Sequence, residues 1–235
     1  MAPPIRQAAE TRVRFPSAGE PSVTLEGLLG SYGDGVKHSA IVLCHPGSQG
    51  QTGMEYPVIA ACSAVLQQAG FVTLRFNFRG VQGSGGKRTG GLDETRDVRG
   101  AVRFLLDNTD VDPSHVYLLG NSFGAWMVLE AAREYEQVAG IICIVLPLAH
   151  LPSPLDHLRH EHRPKLFIAA EHDQLCDLHA FEDEYRQWAM PKDLIVLAGS
   201  DHFLGIGPSV DPVNRAAQIA EAVASWLRRV PATMR

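Results

Sequence analysis

Three side chains of this sequence could together activate a hydroxyl group for attack on a carbonyl carbon. Ser122 lies at the centre of the sequence Gly-Asn-Ser-Phe-Gly at 120–124. A serine hydroxyl is a poor nucleophile at neutral pH unless a base takes its proton and an acid orients that base. Asp173 and His202 follow later, each after a predicted strand. The sequence therefore predicts a triad of Ser122, His202 and Asp173.

The segments on either side of Ser122 favour an exposed nucleophile. The apolar stretch at 116–119 predicts a buried strand, and the strong helix formers at 125–133 predict a helix. The glycines at 120 and 124 permit a turn that is too tight for a Cβ atom. A strand, a sharp turn and a helix in this order lift a serine hydroxyl above the edge of a sheet.

The acid and the base are selected by their positions along the chain. Functional groups of an open parallel sheet gather at the carboxyl ends of its strands. Asp173 is the third residue after the predicted strand Lys165–Ala170, and His202 follows the predicted strand Leu194–Leu197. The rivals are Asp177 and Glu171 for the acid, His172, His179, His157, His160 and His162 for the base, and Ser48 and Ser84 for the nucleophile.

Each predicted residue has a defined role in such a site. Ser122 attacks the carbonyl, His202 takes its proton and later passes it to the leaving group, and Asp173 fixes the imidazole tautomer. The oxyanion requires two backbone N–H donors. We expect one from Phe123, directly after the nucleophile, and one from Gly47, where a glycine lets the backbone approach the substrate. Ser48 is the alternative to Gly47.

Composition and charge bound the class of protein. The 235 residues are 45% hydrophobic and 20% charged, which favours one large α/β domain over residues 1–235. The net charge of -5 and the absence of a long basic run argue against nucleic-acid binding. No apolar stretch approaches the roughly 20 residues that span a bilayer, and the N-terminus does not resemble a signal peptide. We therefore expect no membrane partner.

The cysteines favour a reducing compartment and no metal. They are far apart in the sequence and mostly lie in apolar segments, so we expect buried reduced thiols and a cytoplasmic protein. They are Cys44, Cys62, Cys143 and Cys176. The histidine-rich stretch at 156–163 is the one metal-like cluster. We interpret it as part of a short charged lid and expect no metal site.

Strand-like and helix-like segments alternate from residue 39 to the C-terminus. This pattern predicts a mostly parallel, twisted sheet of about eight strands with helices on both faces. The predicted strands are 40–44, 71–76, 116–119, 139–144, 165–170 and 194–197, and the predicted helices are 58–68, 94–106, 125–133 and 212–227. Thr11–Phe15 and Val23–Leu29 alternate around turns and predict an antiparallel hairpin at the sheet edge.

Together these motifs resemble the α/β-hydrolase superfamily, and more narrowly small bacterial esterase-like hydrolases related to dienelactone hydrolase. The resemblance is carried by His-Pro-Gly at 45–47, Arg-Phe-Asn-Phe-Arg-Gly-Val at 75–81, Gly-Asn-Ser-Phe-Gly-Ala at 120–125, Glu-His-Asp at 171–173 and Asp-His-Phe at 201–203. It implies an α/β-hydrolase fold and a cofactor-free hydrolase of esters. The chain departs from the group at 47–53, where a second proline is usual, and its nucleophile is serine rather than the cysteine of dienelactone hydrolase.

The insert between the predicted strands 139–144 and 165–170 is short. At about 147–164 it forms only a minimal lid, so we expect a lightly covered pocket for small carboxylic esters. The candidate pocket residues, chosen by their proximity to the motifs, are Gln49, Met54, Phe78, Phe123, Leu148, Leu155 and Phe203. A monomer or a homodimer fits equally well. The alternatives to ester hydrolysis are acyl transfer or peptide cleavage on the same triad, and a non-catalytic binding protein.

Three further polar residues have predicted structural roles. His45 is expected to hold its loop by hydrogen bonds rather than to act as a second base. Arg75 and Arg79 could clamp a substrate carboxylate bidentately. We favour instead ion pairs with the acidic residues at 93, 94 and 97, because such charges commonly satisfy buried loops.

Overall fold

A single sheet of eight strands organises the molecule. The computed structural model describes residues 8–47, 53–205 and 212–230. The strand order across the sheet is β1-β2-β4-β3-β5-β6-β7-β8. The strands are β1 (Ala9–Ser17), β2 (Glu20–Ser31), β3 (His38–Cys44), β4 (Val72–Phe76), β5 (Val111–Asn121), β6 (Val138–Ile144), β7 (Lys165–Ala170) and β8 (Lys192–Leu197).

Strands β3 to β8 are parallel and β1 and β2 are not. Each neighbouring pair from β4 through β3 and β5 to β8 runs parallel, whereas β1 and β2 form an antiparallel hairpin whose second strand pairs antiparallel with β4. The predicted fold class and edge hairpin are confirmed. The hairpin strands extend two to three residues beyond several of the predicted boundaries, because pairing with the sheet continues past the apolar alternation.

In the described part of the chain, five α-helices cover the two faces of the sheet. They are α1 (Pro57–Gln68), α2 (Glu94–Leu106), α3 (Phe123–Ala132), α4 (Leu178–Gln187) and α5 (Pro212–Arg229). Alternate strand residues face opposite sides. Val42 packs with the cluster that includes residues of α2, α3 and α4, whereas Ile41 and Leu43 pack with residues of α1 and α5. Because helices cover both faces of the sheet, every residue of β4 and of β7 is buried.

Helix α4 is the one helix missing from the predicted set. Its apolar positions are few, and charged residues dominate its surface. Asp177, a rival for the catalytic acid, begins this helix: its Oδ1 accepts a hydrogen bond from the Ala180 N–H at 2.9 Å. An N-cap aspartate satisfies a donor that the helix itself leaves unpaired.

The four cysteines are buried and unpaired, as predicted. Burial raises the pKa of Cys62 to about 12 and that of Cys176 to about 11, so both thiols are protonated at neutral pH. Among the residues that the structure describes, no helix is both long and apolar enough to cross a membrane.

Candidate active site

Ser122 occupies a strained turn between β5 and α3. Its backbone φ is 52°, in the left-handed region that non-glycine residues adopt at an energetic cost. Its N–H donates to the Ile144 carbonyl of β6 at 2.8 Å, which fixes the turn against the neighbouring strand. A Cβ at Gly120 would lie 2.1 Å from the Gly124 carbonyl oxygen, and one at Gly124 would lie 2.3 Å from the Cys44 oxygen. Both glycines are therefore required for the turn.

The structure brings the three predicted triad residues into one chain of hydrogen bonds. Ser122 Oγ lies 2.8 Å from His202 Nε2. His202 Nδ1 lies 2.9 Å from each carboxylate oxygen of Asp173. The Asp173 side chain is 2% exposed and that of His202 is 4% exposed, so water competes little for these bonds. With Nδ1–H donating to Asp173, Nε2 is free to accept the serine proton.

The loops after β7 and β8 hold the acid and the base in place. The His172 N–H donates to the Ser200 carbonyl at 2.8 Å and so ties one loop to the other. The Leu175 N–H donates to Asp173 Oδ1 at 2.8 Å, which orients the carboxylate. Glu171, another rival acid, accepts from the Gly199 N–H at 2.7 Å. Its role in the structure is to support the turn after β8.

The other rivals lie away from Ser122 or serve the fold. The side chains of His172 and His179 are 59% and 93% exposed, and neither has a hydrogen bond to Ser122. Ser84 is buried: its hydroxyl donates to the Asn77 carbonyl at 2.6 Å and accepts from the Glu26 N–H at 2.9 Å. Ser48 lies outside the described residues.

Phe123 and Gly47 lie together beside the nucleophile. Phe123 begins α3, so its N–H has no carbonyl partner one turn earlier in the helix. A Cβ at Gly47 would lie 2.7 Å from Phe123 Cβ, so glycine is needed for this close approach. The Arg88 guanidinium donates to the Gly47 carbonyl at 2.7 Å. Both predicted oxyanion residues line the same cavity as Ser122.

A cavity of about 630 Å³ opens above Ser122. Aromatic and apolar side chains dominate its wall, with few polar groups. It is lined by Pro46, Gly47, Tyr56, Arg88, Gly90, Asn121, Ser122, Phe123, Trp126, Pro147, His150, Leu151, Leu175, His202 and Phe203. Of the predicted pocket residues, Phe123 and Phe203 contribute, and Phe203 is 72% exposed at the rim.

The other predicted pocket residues lie elsewhere. Met54 and Phe78 are buried in the protein interior, where the Phe78 ring packs edge-on against His45 at 4.9 Å. Leu148 and Leu155 line a second cavity beside α4. Gln49 lies outside the described residues. Proximity to a motif in sequence misplaced these side chains because it does not determine which way a side chain points from its loop.

His45 supports the loop after β3, as predicted. Its Nδ1 lies 2.7 Å from the Pro46 carbonyl, and its Nε2 accepts from the Phe78 N–H at 3.2 Å. Burial lowers the pKa of His45 to about 4, so the ring is neutral at physiological pH. One nitrogen donates and the other accepts, so both are used in holding the loop.

Arg79 and Arg75 both form ion pairs, with different sets of partners. Arg79 donates to Asp97 through Nε and Nη2 at 2.9–3.2 Å, as predicted, and also pairs with Asp93 at 3.6 Å. Arg75 instead pairs with Glu10 and Glu55. The prediction for Arg75 was wrong because its neighbours Leu74 and Phe76 face the cluster that contains residues of α2, so the Arg75 side chain points to the opposite face of the sheet.

The lid segment consists of two short 3-10 helices, Leu148–His150 and Asp156–Arg159. Pro147, His150 and Leu151 of this segment reach the catalytic cavity. Within the described ranges, no group of three or more His, Cys, Asp or Glu side chains is arranged to hold a metal ion.

Several cavity residues were not anticipated from the sequence. Trp126 is four residues after Ser122, so helical spacing places it on the same face of α3, and this signal could have found it. Arg88 and Gly90 lie in the glycine-rich loop after β4, and Leu175 lies in the loop after β7. No periodicity orients loop residues, so these positions carried no comparable signal.

Comparison with known proteins assigns the fold family. The model of the alpha/beta hydrolase domain family matches residues 37–229. An uncharacterized protein of Rickettsia prowazekii is 26% identical over 178 residues, which cover 70% of this chain and 71% of that protein. An uncharacterized 31.7 kDa protein of Escherichia coli is 29% identical over 48% of this chain, and the match spans only 38% of its length.

Two solved structures show the same architecture. An alpha/beta serine hydrolase without a lid, from Xanthomonas campestris, superposes with a TM-score of 0.73 at 22% identity, covering 94% of this chain and 97% of that one. An esterase of Pyrococcus furiosus superposes with a TM-score of 0.76 at 16% identity, covering 98% and 96%. At these identities the likeness concerns the fold.

Proposed function

This chain belongs to the alpha/beta hydrolase domain family, and we propose that it is a serine hydrolase of small carboxylic esters that works through an acyl-enzyme. One observation carries the proposal. Ser122 Oγ lies 2.8 Å from His202 Nε2 while its backbone is held at a φ of 52° and its cavity is open above it. Strain of this kind is retained where function requires it.

The geometry supports a two-step acyl transfer to water. Ser122 Oγ attacks the ester carbonyl as His202 Nε2 takes its proton, and the tetrahedral oxyanion accepts hydrogen bonds from the N–H groups of Phe123 and Gly47. His202 then protonates the departing alcohol. Water attacks the acyl-enzyme with His202 again as base, which releases the acid and restores Ser122. Asp173 keeps Nδ1 protonated throughout.

The cavity and the lid support small substrates. The lid segment contributes only Pro147, His150 and Leu151 to the wall. A cavity of about 630 Å³ lies within the usual range for small-molecule sites, and its mouth at Phe203 is open. We therefore propose short-acyl or aromatic esters as substrates. The lidless serine hydrolase and the esterase that share this fold are compatible with such an activity.

The protein is proposed to act in a reducing compartment, as a monomer or homodimer, on a small-molecule partner alone. The four buried unpaired thiols support the cytoplasm as that compartment. The chemistry described above uses only protein side chains and water, so it calls for no cofactor.

A series of p-nitrophenyl esters from acetate to palmitate tests this proposal. We expect release of p-nitrophenol with kcat/KM highest at acetate to butyrate and falling for longer chains, because a short lid cannot cover an extended chain. A preference for palmitate would contradict the pocket assignment. Absence of turnover across the whole series would contradict ester hydrolysis itself.

A further inference from the structure

The catalytic cavity has basic side chains on its wall and no acidic ones among the described residues. Arg88 lies on the wall with Ser122 and, apart from His202, His150 of the lid segment is the second basic residue there. Within the described part of the chain, no Asp or Glu side chain lines the cavity. Asp173 lies behind His202 with both carboxylate oxygens already accepting from it.

Arg88 is held in position from two directions. Its guanidinium donates to the Gly47 carbonyl at 2.7 Å, next to the proposed oxyanion donors. The flanking residues are fixed by the buried carboxylate of Glu94, which accepts from the Thr89 N–H and the Gly91 N–H, both at 2.7 Å. Burial opposes ionisation of Glu94, but these bonds hold its pKa below the ordinary value. The loop is thus anchored directly after Arg88, and the bond to Gly47 holds its exposed guanidinium at the wall of the cavity.

The neighbouring wall is aromatic. Phe123 and Trp126 pack edge-to-face at 5.9 Å, and both line the cavity together with Arg88. Apolar walls displace water beside a cation and strengthen its attraction for an anion. A guanidinium also presents a planar fork of donors that matches a carboxylate. Such a wall favours a flat or apolar group that ends in a negative charge.

We propose that the substrate is an anionic ester, with a carboxylate on its acyl or alcohol part bound by Arg88 between the aromatic wall and the oxyanion loop. This inference rests on the proposed ester hydrolysis and narrows its substrate class. The hydrogen bond from Arg88 to Gly47 gives the same residue a positioning role for every substrate. A comparison of charged and neutral esters separates the two roles.

Two matched pairs of esters test the proposal. In the first the charge is on the alcohol part, 4-acetoxybenzoate against 4-acetoxybenzamide, and in the second on the acyl part, the mono-p-nitrophenyl ester of adipic acid against that of adipamic acid. In at least one pair, we expect kcat/KM to be about ten- to a hundredfold higher for the anion, mainly through a lower KM. The preference should decrease as salt is raised, since the cation is at an open mouth.

Substitutions of the two neighbouring basic residues complete the test. Arg88→Gln should abolish the preference for the anion, Arg88→Lys should retain part of it, and Lys87→Gln, at an exposed residue that does not line the cavity, should leave it intact. Arg88→Gln also removes the hydrogen bond to the Gly47 carbonyl, which could lower activity on every ester. The ratio of kcat/KM for the anionic ester to that for the neutral ester is independent of such a general loss. An equal loss for charged and neutral esters in Arg88→Gln would show a positioning role only and overturn the proposal.

The outcomes also separate this inference from the function on which it rests. If the wild-type protein hydrolyses both members of both pairs without a preference for the anion, the anionic substrate class is wrong and ester hydrolysis stands. If it hydrolyses neither member of either pair and no p-nitrophenyl ester of the acetate-to-palmitate series, the ester hydrolase assignment is wrong.

Discussion

Two buried polar clusters of this molecule have nearly identical hydrogen-bond distances and opposite surroundings. The triad joins Ser122, His202 and Asp173 at 2.8–2.9 Å. The second cluster, which we call the hairpin clasp, joins Arg79 to Asp97 and to Ser17 at 2.9 Å. The triad opens onto a cavity through its serine, whereas the Arg79 side chain is 3% exposed and that of Asp97 is 0% exposed.

The difference shows which features distinguish a reactive cluster from a structural one. Close hydrogen bonds and burial are common to both. Only the triad has a member with a strained backbone and an open face, so a substrate can reach it. The hairpin clasp connects the end of β1 to α2 and to the loop after β4, and its bonds to Asp97 and Ser17 are buried. We therefore expect the triad to determine rate and the hairpin clasp to determine stability.

The largest expected effect is that of Ser122→Ala on turnover. Removal of the nucleophile should lower kcat for p-nitrophenyl acetate by about 10⁶-fold, because the remaining groups cannot form the acyl-enzyme. The free energy of unfolding should change little, because the Ser122 side chain lies at the wall of an open cavity and its hydroxyl bonds to His202 rather than to the core. Activity near that of the wild type would transfer the nucleophile to another serine, with Ser48 and Ser84 as the first to examine.

The second effect is that of Asp173→Asn, which should lower kcat by about 10⁴-fold. An amide at this position favours the wrong tautomer of His202, with Nδ1 unprotonated and Nε2 unable to accept the serine proton. Steady-state hydrolysis of p-nitrophenyl acetate measures the loss. Asp177→Asn is the matched control, because Asp177 caps α4 and has no bond to His202. Similar rates for both variants would remove Asp173 from the mechanism.

In the hairpin clasp we expect the reverse pattern. Asp97→Ala should lower the free energy of unfolding by about 3–5 kcal/mol, because it leaves the buried Arg79 guanidinium without its main partner. Asp93→Ala removes a longer, more exposed contact to the same arginine and should cost about 0–1 kcal/mol. Urea unfolding measures both, and folded Asp97→Ala should still hydrolyse esters. Equal losses for the two variants would contradict the role of burial.

The smallest effect concerns a third buried polar group, at the opposite end of the sheet from the triad. Lys165 begins β7, and its Nζ donates to the carbonyls of Glu161 and Arg163 at 2.6 and 2.8 Å. Burial lowers its pKa to about 8, from 10.5 for a free side chain. Between these values the unfolded chain binds a proton that the folded chain has lost. Lys165 should therefore stabilise the fold increasingly as pH rises from about 8 to about 10.5.

Urea unfolding at several pH values, on the wild type and on Lys165→Met, tests this shift. The free energy of unfolding of the wild type should rise relative to the variant across the same window, while below pH 8 the difference should be constant. If the free energies of unfolding of the wild type and the variant change in parallel with pH, Lys165 keeps its proton in the folded state. The pKa of Lys165 is then not lowered by burial.

The sequence predicted the sheet, the hairpin and the triad because each has a strong local signal. Continuous apolar runs mark strands buried on both faces, and a position shortly after a strand locates Asp173 and His202 at one edge. Helix α4 was missed because its apolar face is short, formed by Leu178, Phe181 and Tyr185 among charged residues. The pocket wall was predicted poorly, since Met54 and Phe78 point into the interior and only tertiary packing determines that direction.

The ion pairs show the same limit. The partner of Arg79 was predicted from a nearby helix, whereas Arg75 binds Glu10 of β1, which antiparallel pairing of β2 with β4 brings close. Such contacts depend on strand order. The sequence pattern indicated an edge hairpin but not which strand it joins.

Covalent labelling with a fluorophosphonate tests whether Ser122 is an activated nucleophile, because the probe reacts with a serine only when its hydroxyl is activated. We expect one adduct on the wild-type protein, located on Ser122 by mass spectrometry of its peptides, and none on Ser122→Ala. Slower labelling of His202→Ala would follow from the 2.8 Å bond between the two side chains. Absence of an adduct on the folded wild-type protein, or an adduct on any other residue, would contradict the assignment of Ser122 as the nucleophile.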